Sequence, residues 1–236
     1  MDIPPTNSMR KTMDALQERI LTAQTVMEVD KEREEKIRLL KIRQRLANSL
    51  GRRYFPDMVT PLENFRVYHA NQDKVLLRLK AIGDMLPERI SRGDGVIFYG
   101  TVGTGKDHLL AWLLYQAAHH GFESMWLNGQ EFFGTLRDRM EAGLGEGQYL
   151  GDLAKPTVLG ISDPVPAVGK PTPWNILQLY RLLDRRYRAM KPTWISMNAI
   201  NLEDADSKLS TPVFDRLRDS AELIPCFWPS YREKRK

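Results

Sequence analysis

Residues 98–110 read FYGTVGTGKDHLL, and the fold turns on this stretch. From Gly100 to Lys106 it satisfies G-x-x-x-x-G-K, the phosphate-binding pattern that normally ends in Ser or Thr. Here the following residue is Asp107. The run VIFY (96–99) before the loop is too short for a helix and rich in β-formers, so it predicts a buried strand. The run KDHLLAWLLYQAAHHG after it predicts a helix. A strand, a glycine-rich loop and a helix in that order are the context the pattern needs. Gly100, Gly103 and Gly105 let the backbone curl and turn its N–H groups inward, beside the positive end of the helix. With Thr101, Val102 and Thr104 they form a cradle for phosphate oxygens. Lys106 adds a point charge for the outer phosphates, and Asp107 and His108 close the stretch. A nucleoside triphosphate site is the expectation.

The metal is a separate question. Phosphate-binding loops of this kind hold Mg²⁺ with the hydroxyl after the Lys and with a carboxylate at the end of a nearby strand. The candidate strand is VLGISDP, with Ser162 where the first carboxylate belongs and Asp163 after it. The loop thus has an acid in place of a hydroxyl, and the strand has a hydroxyl in place of an acid. We read the two departures as an exchange of ligand types. Asp107 then meets the ion directly or through water, Ser162 completes the shell, and Asp163 orients the attacking water. A purely structural Asp107 at the helix N-terminus is the competing reading.

The bulk properties fit this reading. The chain has 236 residues, 42% hydrophobic and 28% charged, with a net charge of +5. That is enough chain for one large domain, or one domain with an appendage. No apolar run approaches the ~20 residues of a membrane span, and MDIPPTNSMRK lacks the apolar core of a secretory signal. Cys226 is the sole cysteine, which excludes intramolecular disulfides and cysteine-built zinc sites. A cytoplasmic setting without membrane contact is expected. The basic excess permits nucleic-acid contact.

Two regions are expected. Residues 8–50 lack Pro and Gly and favour straight-chain residues, so they predict a helix, and residues 1–50 are expected to be an arm for a partner or DNA, with a solvated helix face as the competing reading. Its distal half is basic from Lys36 to Arg53. The stretch RYFPDMVTPLENF then reads as irregular, and residues 71–87 as a helix ending at Pro87. Beyond VIFY, the strand candidates are MWLN (125–128), TVLGIS (157–162), TWISMN (193–198) and ELIPCFW (222–228). Helices QEFFGTLRDRMEAG and NILQLYRLLDRRYRAM lie between them. Alternating elements predict an α/β fold with a parallel sheet covered on both faces, over residues 51–236. His119 and His120 read as structural, and His69 as uninformative. Arg185 and Arg186 read as facing a subunit boundary or a phosphate backbone. The tryptophans and tyrosines read mostly as core.

The stretches YGTVGTGKDHLL, VLGISDP, KPTWISMN, TPVFDRLRD and WPSYR carry a family resemblance over roughly residues 50–236. The chain resembles the AAA+ ATPases of the helicase-loader (DnaC-type) and transposition-helper (IstB-type) group. It departs from their pattern at Asp107 and Ser162. The resemblance implies a five-stranded P-loop AAA+ core that binds ATP with Mg²⁺. It implies that Asn198 is the polar sensor of the terminal phosphate. It also implies that Arg216 is an arginine finger serving a neighbouring subunit, with Arg218 the fallback, and that Arg232 is a second sensor. An arginine finger acting in trans implies a homo-oligomer. The implied function is an ATP-binding switch that assembles on DNA and loads or regulates a partner, either a transposase or a replicative helicase. The reading leans to the transposition helper. A scaffold that binds nucleotide without hydrolysing it is the alternative.

Overall fold

A computed structural model describes the backbone of residues 7–54, 62, 65–165 and 170–232. Side chains before residue 27 are described only at positions 21 and 24, and those of 52–54 are not. Most of RYFPDMVTPLENF, and the side chains of Arg52 and Arg53, therefore lie outside the described residues.

The elements run α1 (Asn7–Tyr54), α2 (Ala70–Asp84), α3 (Leu86–Arg92), β1 (Val96–Gly100), α4 (Lys106–His119), β2 (Ser124–Asn128) and α5 (Gly129–Glu141). Then follow α6 (Gly147–Ala154), β3 (Val158–Ser162), α7 (Pro173–Arg188), β4 (Thr193–Asn198), α8 (Leu202–Leu209), α9 (Thr211–Arg218) and β5 (Glu222–Cys226). The five strands form one parallel sheet in the order β2-β3-β4-β1-β5. The expected α/β architecture is present.

Burial explains why these runs are strands. Every residue of β3 is buried, as a central parallel strand covered on both faces requires. Neighbouring residues in β1 and β4 feed opposite faces, following the two-residue period of a strand. Phe98 and Trp194 pack with Leu46, Leu79 and Leu110. Ile97 and Ile195 pack with Phe132, Leu179 and Phe214. One face is thus covered by α2, α3, α4 and the end of α1, and the other by α5, α6, α7 and α9.

The helix expected over 71–87 is two helices. Met85 breaks the run, and Pro87 sits in the first turn of α3, where its missing N–H costs nothing. His69, which carried no signal in the sequence, is the N-cap of α2: its ring accepts from the Asn71 N–H, and Gln72 reaches back to complete a capping box. The short helix α6 had no expectation behind it.

The chain divides into two compact units, residues 1–41 and 42–236. The first is helical from Asn7, and Leu21, Met27, Val29 and Leu40 are exposed along it. The end of α1 belongs to the second unit, where Ile42, Leu46 and Leu50 are buried.

Candidate functional site

The registers of the sheet bring the expected residues together. Gly100 at the end of β1 pairs with Asn198 at the end of β4. Ser162 at the end of β3 pairs with Ser196 of β4. The loop 101–105 leaves β1 at this edge and enters α4 at Lys106. In parallel α/β sheets, the crevice at the carboxyl ends of the strands is where ligands bind.

The glycines of the loop are there for conformation and clearance. Gly103 has φ +79°, and a Cβ on it would fall 2.0 Å from Ser230 Oγ. Gly100 has φ +154°, and its Cβ would fall 2.1 Å from the Cys226 carbonyl oxygen. Only glycine fits such close backbone approach.

Lys106 is 6% exposed. Its ammonium donates to Thr101 O at 2.6 Å, Asn198 Oδ1 at 2.9 Å, Gly100 O at 3.2 Å and Thr104 Oγ1 at 3.4 Å. All four acceptors are neutral, and burial holds its pKa below the ordinary lysine value, with Asp107 and Asp163 among the opposing influences. Asn198 turns its other amide atom outward, donating from Nδ2 to Asp163 Oδ1 at 3.0 Å. Asn198 therefore links the cation to the acid. Asp163 has φ +46°, and its own N–H donates to Ser196 O at 2.9 Å. Burial and the neighbouring Asp107 raise its pKa, and Lys106 opposes the shift.

Asp107 and Ser162 are in contact. Ser162 Oγ donates to Asp107 Oδ1 at 2.9 Å, and Ser196 Oγ donates to the same oxygen at 2.5 Å. The two residues that depart from the loop and strand patterns are hydrogen-bonded partners in space. Ser196 is a site residue the sequence reading missed. Its signal was available: in TWISMN it lies two positions before Asn198, hence on the same face of the strand.

His108 turns away from these groups. Its ring lies 5.9 Å from that of Phe65, its Nε2 is buried without a hydrogen-bond partner, and burial lowers its pKa. Thr101 and Val102 are exposed at the loop tip, and Thr104 is buried. Arg232 is exposed, with its N–H donating to Ser230 Oγ at 3.2 Å. Cys226 lies behind the loop, fully buried, and burial pushes its thiol up to about 12.

Arg216 lies elsewhere. It donates to Tyr180 Oη at 2.6 Å and pairs with Asp184 at 3.3 Å, with its guanidinium 4.4 Å from the Tyr180 ring centre. It lines a cavity of about 290 Å³ with Gly95, Thr193 and Ser220, which precede or begin strands β1, β4 and β5. This is the end of the sheet opposite the loop. Arg218 is paired with Asp215 at 3.0 Å.

Two expectations outside the site need correction. Arg186 is wholly buried and faces no boundary: it donates to Thr193 Oγ1 and to the carbonyls of Ala154, Pro156, Thr157 and Pro192. Burial lowers its pKa. Trp112, Trp126 and Trp194 are core residues as expected, but Tyr187 is exposed.

The donor set suits magnesium and phosphate. Asp107, Asp163, Ser162 and Ser196 offer only hard oxygen ligands. Among the described residues there is no group of three or more His, Cys, Asp or Glu side chains able to hold a metal ion. Mg²⁺ does not need one, since it is usually held by one or two carboxylates together with phosphates and water. The Asp107–Asp163 repulsion is what a cation would relieve, and the neutral shell around Lys106 is what a phosphate would replace.

Known proteins resemble the chain in sequence and in fold. The replicative helicase loader DnaC of Escherichia coli K12 is 27% identical over 174 residues, covering 73% of this chain and 69% of that protein. A crystal structure of the DnaC helicase loader superposes with a TM-score of 0.65 at 20% identity, covering 75% of this chain and 99% of the other. The chain is thus similar in sequence to the helicase loader DnaC and shares its fold. This DnaC-type fold extends to the replication initiator DnaA bound to AMPPCP and single-stranded DNA: TM-score 0.59, 18% identity, 76% of this chain and 51% of that one. No protein-family model matches the chain. No helix among the described residues is long and apolar enough to cross a membrane.

Proposed function

We propose that the chain is an ATP-binding AAA+ switch for DNA replication that assembles on DNA and loads a replicative helicase. The observation that carries the nucleotide part is the contact of Ser162 with Asp107 beside Lys106 and Asn198. The exchanged pair keeps one carboxylate and one hydroxyl at the mouth of the loop. The loader part is supported by the relation to DnaC, which weighs against the transposition helper.

In this reading the loop amides and Lys106 hold the phosphates. Asp107 and Ser162 hold Mg²⁺, which neutralises charge on the phosphates when bound. Asp163 accepts a proton or a hydrogen bond from the attacking water. Its raised pKa makes it a better acceptor once ionised. Asn198 connects that carboxylate to Lys106, so it can sense whether the cation has turned to a phosphate. Arg216, directed away from its own site, serves a neighbouring subunit of a homo-oligomer. Arg232 acts as the second sensor. The helix of residues 7–41 meets the helicase or DNA.

The test combines calorimetry with Mg–ATP, turnover with and without DNA, and co-sedimentation with a replicative helicase. Wild type should bind ATP, and Lys106→Ala should lose both binding and turnover. Absence of binding at millimolar Mg–ATP rejects the nucleotide site. Binding to a transposase and not to a helicase rejects the loader. A second reading, a non-hydrolysing scaffold, draws on the negative Asp107 beside the loop. It predicts ATP binding with no turnover, with or without DNA.

A further inference from the structure

The outer side of the phosphate-binding loop is held by the segment after β5. Trp228, 5% exposed, donates from Nε1 to the Thr104 carbonyl at 2.9 Å. The backbone N–H of Tyr231 donates to the Gly103 carbonyl at 2.9 Å. Tyr231 is itself anchored. Its hydroxyl donates to Arg66 O at 2.6 Å and accepts from Gln72 Nε2 at 2.8 Å, and its ring meets that of Phe65 edge-on at 5.4 Å. Gln72 is 1% exposed, so the anchor is part of the core.

These bonds fix two peptide planes. In a trans peptide the carbonyl of one residue and the N–H of the next point in opposite directions. Pinning the Gly103 carbonyl therefore aims the Thr104 N–H away from the C-terminal segment. Pinning the Thr104 carbonyl does the same for the Gly105 N–H. A phosphate cradle works through amides that are already turned toward the anion before it arrives, so that binding does not have to order them.

We infer that Trp228 and Tyr231 are positioning residues that preset the Thr104 and Gly105 amides for phosphate. The inference rests on the nucleotide reading above. Trp228 contributes through its indole N–H, and its packing is a separate contribution. Tyr231 contributes through its main chain, so its side chain matters as the anchor.

The test uses the full chain with two substitutions at one position. Trp228→Phe removes the N–H and part of the ring. Replacement of Trp228 by 3-benzothienylalanine keeps the bicyclic volume and removes only the N–H. Calorimetry measures Mg–ATP and, as a probe of the phosphate cradle alone, magnesium tripolyphosphate. Loss of one orienting hydrogen bond should weaken both ligands about three- to tenfold. The thermal midpoint without ligand should stay close to wild type in the benzothienyl variant, while the Thr104 and Gly105 amide resonances shift. If Trp228→Phe fails to fold, the benzothienyl variant decides. A benzothienyl variant that binds tripolyphosphate within twofold of wild type overturns the inference. A wild-type chain that binds neither ligand overturns the nucleotide reading instead.

Discussion

Ser162 donates its hydroxyl to Asp107 across 2.9 Å, joining the end of β3 to the first turn of α4. Each residue occupies the place where the other's type is expected, so neither can be judged alone. Asp107→Thr leaves two hydroxyls facing each other and no carboxylate at the loop. Ser162→Asp leaves two carboxylates in contact. Asp107→Thr/Ser162→Asp restores one of each. We expect each single variant to bind Mg–ATP at least ~10-fold more weakly than wild type, and the double variant to recover to within ~3-fold, a coupling typical of contacting residues. A double variant no better than the worse single one would show that the positions act independently.

Asp163 has a pKa raised by burial and by Asp107. For an acid this sign means that the ionised form costs stability above the raised pKa, and that the cost shrinks as pH falls below it and is gone below the ordinary carboxylate value. Asp163→Asn keeps the oxygen that Asn198 donates to and removes the charge. Without nucleotide, the variant should melt above wild type at pH 8, with the gap closing as pH falls toward the ordinary carboxylate range. Turnover should be lost. A variant that melts lower at pH 8 would contradict the buried-charge account.

His108 gives the opposite dependence. Its folded pKa lies below the ordinary 6.5 through burial. The unfolded chain then takes up the proton first, so stability is complete above about pH 6.5 and declines as pH falls toward the folded value. His119, also depressed by burial and then by Arg43, adds a decline of the same sign. The readout is therefore a difference: His108→Phe should flatten the fall in melting temperature between about pH 6.5 and 5 relative to wild type. Identical slopes would place the titration elsewhere.

Arg186 is a buried cation whose acceptors are four carbonyls and a hydroxyl. Arg186→Met strands those acceptors among apolar groups, and Arg186→Lys has too few donors to reach them all. Chemical denaturation should show a loss of about 3 kcal/mol or more for Arg186→Met, given ~1–3 kcal/mol for each buried group left unsatisfied. A loss below about 1 kcal/mol would mean that water or rearrangement satisfies these oxygens.

Much of this molecule was legible from pattern. The five strands announce themselves because central parallel strands are short apolar runs, and the loop announces itself because only glycine accepts its backbone. Asp163 could be placed because it follows such a strand, and Asn198, the last residue of β4, was implied by the family resemblance. What stayed hidden depends on pairing across the sheet. Ser196 becomes a partner of Asp107 only once β3 and β4 are in register. Trp228 and Tyr231 act on residues more than a hundred positions away. Pro87 was misread as a stop because a proline that ends one helix and a proline that begins another look the same in sequence. Arg186 was misread as a surface group because nothing local marks a cation that will be solvated by carbonyls.

The lone thiol behind the loop has a practical use. Cys226 is fully enclosed, and burial raises its pKa to about 12, so thiolate is scarce at neutral pH and reagents cannot reach it in the native chain. Maleimide dyes should leave the native protein unlabelled, which frees any cysteine introduced on the surface for single-site attachment. Because Cys226 abuts Gly100, its slow alkylation becomes a clock for opening of the β1–β5 seam, and bound nucleotide should slow that clock.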